Sequence, residues 1–194
     1  MELSEEYKKA HGLTPELVAD TLIAFYQKVD EATEKIQENL KNQGICLNCK
    51  PGCCHCCQDD LTMTPAEAAV IKKLFPDLKH QKPHAKGLCP FLDDQGLCRI
   101  YEARPYICRT HGLPLRWISE DGNEQRDICE INESCADILT LPQESCWNSD
   151  TAEMQLSLIN LCTYGDYARV SMRDFFIDSP DNEKADSLRH GVVH

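Results

Sequence analysis

The sequence predicts a mainly α-helical protein with little β-structure, organised around a loop-rich, metal-stapled cysteine domain. Three observations carry that expectation. Apolar residues recur every three or four positions before residue 45 and again after residue 149, the period of a helix with one buried face. Eleven of the 13 cysteines fall between residues 46 and 135. Alternating runs are scarce, with Leu113 to Ile118 the best short strand candidate. The chain accordingly divides into an N-terminal helical segment (1–45), a cysteine-cluster metal-binding domain (46–135), C-terminal helices packing on it (136–177) and a polar tail (178–194).

Within the first segment, Thr14-Pro15-Glu16 reads as an N-cap followed by proline at the first helical position. Val18, Leu22, Phe25, Val29, Ala32, Ile36 and Leu40 then form one apolar stripe along a helix of about 30 residues, and Gly44 is the expected stop. The outer face carries Glu16, Asp20, Asp30, Glu31, Glu34 and Glu38, a solvated surface that a redox or protein partner could meet. A second helix begins at Thr64-Pro65-Ala66-Glu67, a capping box with proline inside it. Ala66, Val70, Ile71, Leu74 and Phe75 supply its apolar side, and Pro76 ends it. Lys79 to Lys86 reads as a basic loop, because Pro83 opposes a helix that would pair His80 with His84. Residues 119–137, with seven acids and one base, read as a surface loop entering a short helix, with a turn at Asp121-Gly122-Asn123. Asp150-Thr151-Ala152-Glu153 resembles another capping box, opening a helix that breaks near Gly165. Val170, Met172, Phe175 and Phe176 suggest one more helix. His190 and His194 fall in the polar tail.

With 194 residues the chain suits one domain, yet Leu, Ile, Val and Phe supply only 43 of them. That is a thin apolar core. A formal net charge of −12 opposes a nucleic-acid or anionic-membrane binder, which needs a basic face. No run of 18 apolar residues suggests a membrane span. Met1-Glu2-Leu3-Ser4-Glu5-Glu6 has neither the basic start nor the apolar stretch of a secretory signal. A cytoplasmic protein is expected, in a compartment where disulfides do not persist. Thirteen thiols cannot all pair in any case. Metal ligation is the leading use for them.

Six thiols lie within twelve residues: Cys46, Cys49, Cys53, Cys54, Cys56 and Cys57. A Cys-x-x-Cys turn brings two sulfurs together at low conformational cost, and both Cys46/Cys49 and Cys53/Cys56 have that spacing. Pro51-Gly52 allows a tight reversal between them. Six exceed what one tetrahedral ion uses. Neighbouring side chains tend to diverge, so Cys53-Cys54 and Cys56-Cys57 could each serve two centres. Cys49-x3-Cys53-x2-Cys56 also matches the cluster spacing of radical-SAM enzymes. That reading is disfavoured, because a long helix precedes the motif and no series of alternating strands and helices follows.

Further on, Asp94-Gln95-Gly96 reads as the turn of a tight loop that brings Cys89 and Cys98 together. Arg99, Arg104, Arg109 and Arg116 follow in an otherwise acidic chain. Thiolate-ligated clusters are commonly anionic, so Arg99, Arg104 and Arg109 are candidate cofactor-binding donors that stabilise charge and tune a potential. Salt-bridging or carbonyl-capping roles remain the alternative for these arginines. His111 is read as an ordinary hydrogen-bonded histidine, with ligation or proton transfer the alternatives.

Cys49-x3-Cys53-x2-Cys56-Cys57, Leu61-Thr62-Met63-Thr64-Pro65-Ala66-Glu67, Cys89-Pro90-Phe91-Leu92, Cys98-Arg99-Ile100-Tyr101-Glu102-Ala103-Arg104-Pro105 and Cys108-Arg109 occur in that order. Together they resemble the YkgJ-type cysteine-cluster proteins, also described as the zinc- or iron-chelating CxxCxxCC domain, over residues 46–132. The resemblance implies a small, mostly cytoplasmic bacterial protein with an iron–sulfur or zinc site and no assigned reaction. It carries the metal ligands onto Cys49, Cys53, Cys56, Cys57, Cys89, Cys98 and Cys108, with Cys129 added through the looser block Cys129-Glu130-Ile131-Asn132. The first gap here is three residues, not the two of the family name. With Cys46 and Cys54 as additions, the first ligand stays open between Cys46 and Cys49.

Eight thiols suffice for two [4Fe–4S] clusters, and thiolate ligation suits zinc equally. Clustered spacing and arginine companions favour iron–sulfur, as a redox or electron-transfer protein. A zinc-stapled interaction module is the alternative, and a cluster- or thiol-dependent enzyme is a third class. Ser-His-Asp spacing, a phosphate-binding glycine loop and HExxH are all missing, so the sequence assigns no reaction. Cys135, Cys146 and Cys162 are expected to be buried thiols in helices.

Overall fold

A computed structural model describes residues 14–50 and 52–176. The polar tail at 178–194, with His190 and His194, and the acidic start of the chain lie outside the described residues. Helix α1 (Pro15–Asn42) is followed by strand β1 (Thr62–Met63), α2 (Pro65–Leu74), the short α3 (Tyr106–Thr110), β2 (Leu115–Ile118), β3 (Glu124–Asp127), β4 (Trp147–Asn148), α4 (Ser149–Tyr164) and β5 (Val170–Ser171). Helices dominate, and the strands are short.

Local chemistry explains the ends of α1. Thr14 Oγ1 accepts the Leu17 N–H at 3.2 Å. At the other end Gly44 takes φ +79°. Its N–H reaches the Lys41 carbonyl, and the Ile45 N–H reaches that of Leu40. This double bond pattern needs a left-handed residue, which glycine adopts without Cβ strain. Ile45 then packs on Leu40. Along α1, Val18, Leu22, Phe25, Val29 and Leu40 are buried, as the stripe predicts, and Ala32 and Ile36 pack against the core. Each fully buried Leu or Phe contributes about 2 kcal/mol. The helix lies against α2, α3 and α4.

The α2 capping box forms in full. Its Glu67 goes further than the motif requires. At 1% exposure, its carboxylate accepts from the Thr64 N–H at 2.7 Å, the Tyr106 N–H at 2.8 Å and the Tyr26 hydroxyl at 3.2 Å. A buried carboxylate persists only when so satisfied. Glu67 therefore ties α1, α2 and α3 together. Tyr106 in turn accepts from Trp147 Nε1 at 2.8 Å.

Several expectations are corrected. Residues 124–127 are not loop: β3 pairs antiparallel with β2, Leu115 opposite Asp127 and Ile118 opposite Glu124. Acidic side chains on a half-exposed strand hid that pairing. Asn148, not Asp150, caps α4, and Asp150 instead accepts the Ile118 N–H at 2.9 Å. Residues 170–176 form β5 and a 3-10 turn rather than an α-helix, because β5 pairs with β1. Leu74 is 45% exposed, off the buried face of α2. Among the described residues the sheets are one of two strands and one of three in the order β3-β2-β4, with no barrel of alternating βα units. No helix of the described residues is long and apolar enough to cross a membrane.

Candidate metal centre

The dense cysteine segment folds as two consecutive tight turns. The Cys53 N–H donates to the Lys50 carbonyl, and the Cys57 N–H to that of Cys54. Gly52 takes φ +84° in the first, a value L side chains rarely adopt. The second cysteine block is the expected tight loop. Leu92 and Cys98 form an antiparallel bridge, and Asp93 Oδ1 accepts the N–H groups of Gln95 and Leu97 at 2.9 and 2.8 Å. The two blocks meet where the Cys89 N–H donates to the Cys57 carbonyl at 2.9 Å. Cys108 arrives from α3.

This packing leaves a cavity of about 340 Å3 lined by the thiols Cys53, Cys56, Cys57, Cys89, Cys98 and Cys108. Phe91, Ile100 and Met172 close its apolar side. A neighbouring cavity of about 500 Å3 carries Cys46 and Cys49 and shares Cys53, Cys56 and Cys108 with the first. Arg104 and Tyr101 line both. Among the described residues, no three Cys, His, Asp or Glu side chains converge closely enough to hold a single ion.

Burial pushes the Cys89 thiol up to about 11, with Cys98 adding to the effect. It raises Cys108 well above the usual thiol range, assisted by Cys89 and Cys98. Cys56 and Cys57 differ. A hydrogen bond from Cys57 draws Cys56 down to about 6, and the same contact drives Cys57 far up. The pair behaves as two thiols sharing one proton, so these neighbours touch rather than diverge. Thiols must deprotonate to bind metal, and clustering thiolates without a cation is costly. A cationic metal group is what such a donor set lacks.

Cys49 is the better seated of the two candidate first ligands. Its Sγ accepts from Asn132 Nδ2 at 3.3 Å. A Cβ on Gly112 would sit 2.7 Å from that sulfur, so glycine is what permits the approach. Cys46 is exposed. Asn132 is fully buried; it also donates to the Gly112 carbonyl at 2.9 Å and accepts the Asn48 N–H at 2.7 Å. Its own N–H reaches the Cys129 carbonyl at 2.7 Å. Sequence reasoning missed the roles of Asn132 and Gly112. The Cys-x-x-Asn spacing was the available signal for the first, and no sequence signal marked the second.

The three arginines are placed differently. Arg99 donates to the Pro90 and Lys82 carbonyls at 2.6 and 3.1 Å. Arg109 binds Asp30 at 2.5 Å and the Arg104 and Glu102 carbonyls. Arg104 stacks 4.2 Å over Tyr101, and its buried Nε has no hydrogen-bond partner. His111 lines the smaller thiol cavity. Of the cysteines outside the pattern, Cys146 is buried but precedes β4, Cys135 is half-buried in a turn, and Cys162 is exposed on α4. The expectation of buried helical thiols fails for all three in one respect or the other.

Residues 48–136 match the CxxCxxCC family, described as a putative zinc- or iron-chelating domain. No curated protein and no solved structure matches the chain.

Proposed function

Because residues 48–136 belong to the zinc- or iron-chelating CxxCxxCC family, we propose that this metal-binding domain carries iron–sulfur and serves electron transfer. One observation carries the choice. Thiols from separate chain segments surround a cavity of about 340 Å3 rather than one point. A zinc ion draws four sulfurs to about 2.3 Å from itself. An iron–sulfur cluster fills a space between its thiolates. When bound, such a cluster supplies reversible one-electron chemistry.

The chain's own residues do the rest. Cys49, Cys53, Cys56, Cys57, Cys89, Cys98, Cys108 and Cys129 are the ligand set, enough for two [4Fe–4S] groups. Arg104, its Nε buried and without a partner, aims a donor where sulfur charge would lie. Phe91, Leu92, Ile100 and Met172 exclude water from one wall. That lowers the local dielectric and strengthens the arginine's effect. The zinc reading rests on the same thiolates, which suit both metals. In it the domain would be a stapled module presenting α1 to a partner.

Purification without oxygen, with iron, zinc and sulfide assays and a visible spectrum before and after dithionite, separates the two. Brown protein with iron and sulfide, bleached on reduction, is expected. Colourless protein holding zinc alone would overturn the reading.

A further inference from the structure

We infer that the eight thiols form two separate four-thiolate centres: an outer one from Cys49, Cys53, Cys56 and Cys129, and an inner one from Cys57, Cys89, Cys98 and Cys108. The division falls at the Cys56-Cys57 peptide bond. It rests on the metal-ligand reading above and adds the count and the membership.

Backbone contacts define the inner set. The Cys89 N–H is bonded to the Cys57 carbonyl, the loop of residues 89–98 folds back on itself through the Leu92–Cys98 bridge, and all four thiols line the smaller cavity. The outer set is built round Asn132. Its side chain holds the Cys49 sulfur and its backbone holds the Cys129 carbonyl, while the Lys50–Cys53 turn delivers Cys53. Cys49 and Cys53 line the larger cavity.

Electrostatic neighbours divide the same way. Cys49 is influenced by Cys129, then Cys53 and Cys56. Cys129 is influenced by Cys56 and Cys53. Cys108 is influenced first by Cys89 and Cys98, and Cys89 by Cys98. Cys57 and Cys56 are each other's strongest partners, which marks them as the seam. Cavity lining alone divides less cleanly, since Cys53, Cys56 and Cys108 border both spaces. The neighbour relations are the better guide, because a wall residue can border a space it does not serve. Exposure differs too: Cys49 is exposed, whereas no member of the inner set is.

The test is metal stoichiometry of the whole chain, reconstituted without oxygen with ferrous iron and sulfide, and separately with zinc alone. About eight irons per chain are expected, two four-cysteine [4Fe–4S] groups. Cys49→Ser and Cys129→Ser should each halve the iron, and their combination should remove no more than either. Cys98→Ser should remove the other half, and Cys129→Ser with Cys98→Ser nearly all. Cys162→Ser should change nothing. Complete loss from every single ligand variant, or additive loss within one set, would overturn the division and leave the iron reading standing. The same halving with zinc and no iron uptake would overturn the iron reading and leave the division standing. Should a variant fail to fold, iron removal from the unaltered chain by a chelator decides. Two phases of similar amplitude are expected, and a single phase overturns the division.

Discussion

The Asn132 side-chain amide donates to the Cys49 sulfur at 3.3 Å across 83 positions of sequence. This contact fixes a thiol on a chain segment that has little regular structure of its own. The same amide spans Gly112, and its oxygen holds the Asn48 backbone. One fully buried side chain thus sets the distance between the dense cysteine segment, the end of α3 and the Cys129 turn.

Replacing Asn132 by Asp keeps an acceptor for the Asn48 N–H but removes both donated bonds and adds a charge beside sulfur. A loss of about 2–4 kcal/mol is expected from the unsatisfied and charged buried groups. Urea unfolding gives the stability and metal analysis gives the second readout. A wild-type midpoint with full metal content would show that Asn132 is not a hub.

Gly112 offers a steric test of the same contact. Its φ is not in the left-handed region, so alanine meets no backbone strain there. The added Cβ would instead meet Cys49 Sγ at 2.7 Å, well inside van der Waals contact. Gly112→Ala should therefore lower metal content about as much as Cys49→Ser, with Cys46→Ser leaving it unchanged. If Cys46→Ser proves the more damaging, Cys46 is the first ligand.

Glu67 separates stability from metal binding. Gln at this position cannot accept from Thr64, Tyr106 and Tyr26 together, because its amide presents donors to donors. Glu67→Gln should cost about 2–3 kcal/mol, read as a lowered melting temperature. Metal per chain, measured well below that temperature, should be unchanged. An unaltered melting temperature would demote the contact between α1, α2 and α3 to incidental packing.

Some of this was legible beforehand because the signals are local. The stripe from Val18 to Leu40, the Thr64-x-x-Glu67 box and the Asp93 to Gly96 turn each specify their structure within a few residues. What escaped was set by partners far away. The strand Glu124–Asp127 exists only against β2, and β5 only against β1. Likewise, the amide of Asn132 gains its meaning from a sulfur and a glycine that the sequence places elsewhere.

Acid should loosen the C-terminal strap. Arg173 pairs with Asp59 and donates to the His84 and Leu88 carbonyls at 3.0 and 3.1 Å. Burial opposes ionisation of Asp59. The Gly87 N–H and Arg173 together outweigh it and hold the carboxyl below its usual range. A lowered folded value stabilises the fold above the unfolded value of about 3.9 and is lost as pH falls through the folded one. Asp59→Asn should thus cost about 1.5–3 kcal/mol near neutrality, and the difference from the unaltered chain should shrink below about pH 4. A difference that stays constant from pH 7 to pH 3 would remove Asp59 from the account.

Arg104 gives the sharpest test of the redox reading. Its charge lies where both thiol cavities meet, and its Nε has no partner among protein groups. Reduction adds negative charge to a cluster, so a nearby cation stabilises the reduced form and raises the potential. Arg104→Gln removes the cation and keeps a neutral donor. The midpoint potential should fall by some tens of millivolts, where about 59 mV is a tenfold change for one electron, with iron content retained. An unchanged potential with full iron content would reduce Arg104 to its stacking on Tyr101. A raised potential would contradict the electrostatic argument outright, since losing a positive charge cannot favour the more negative state.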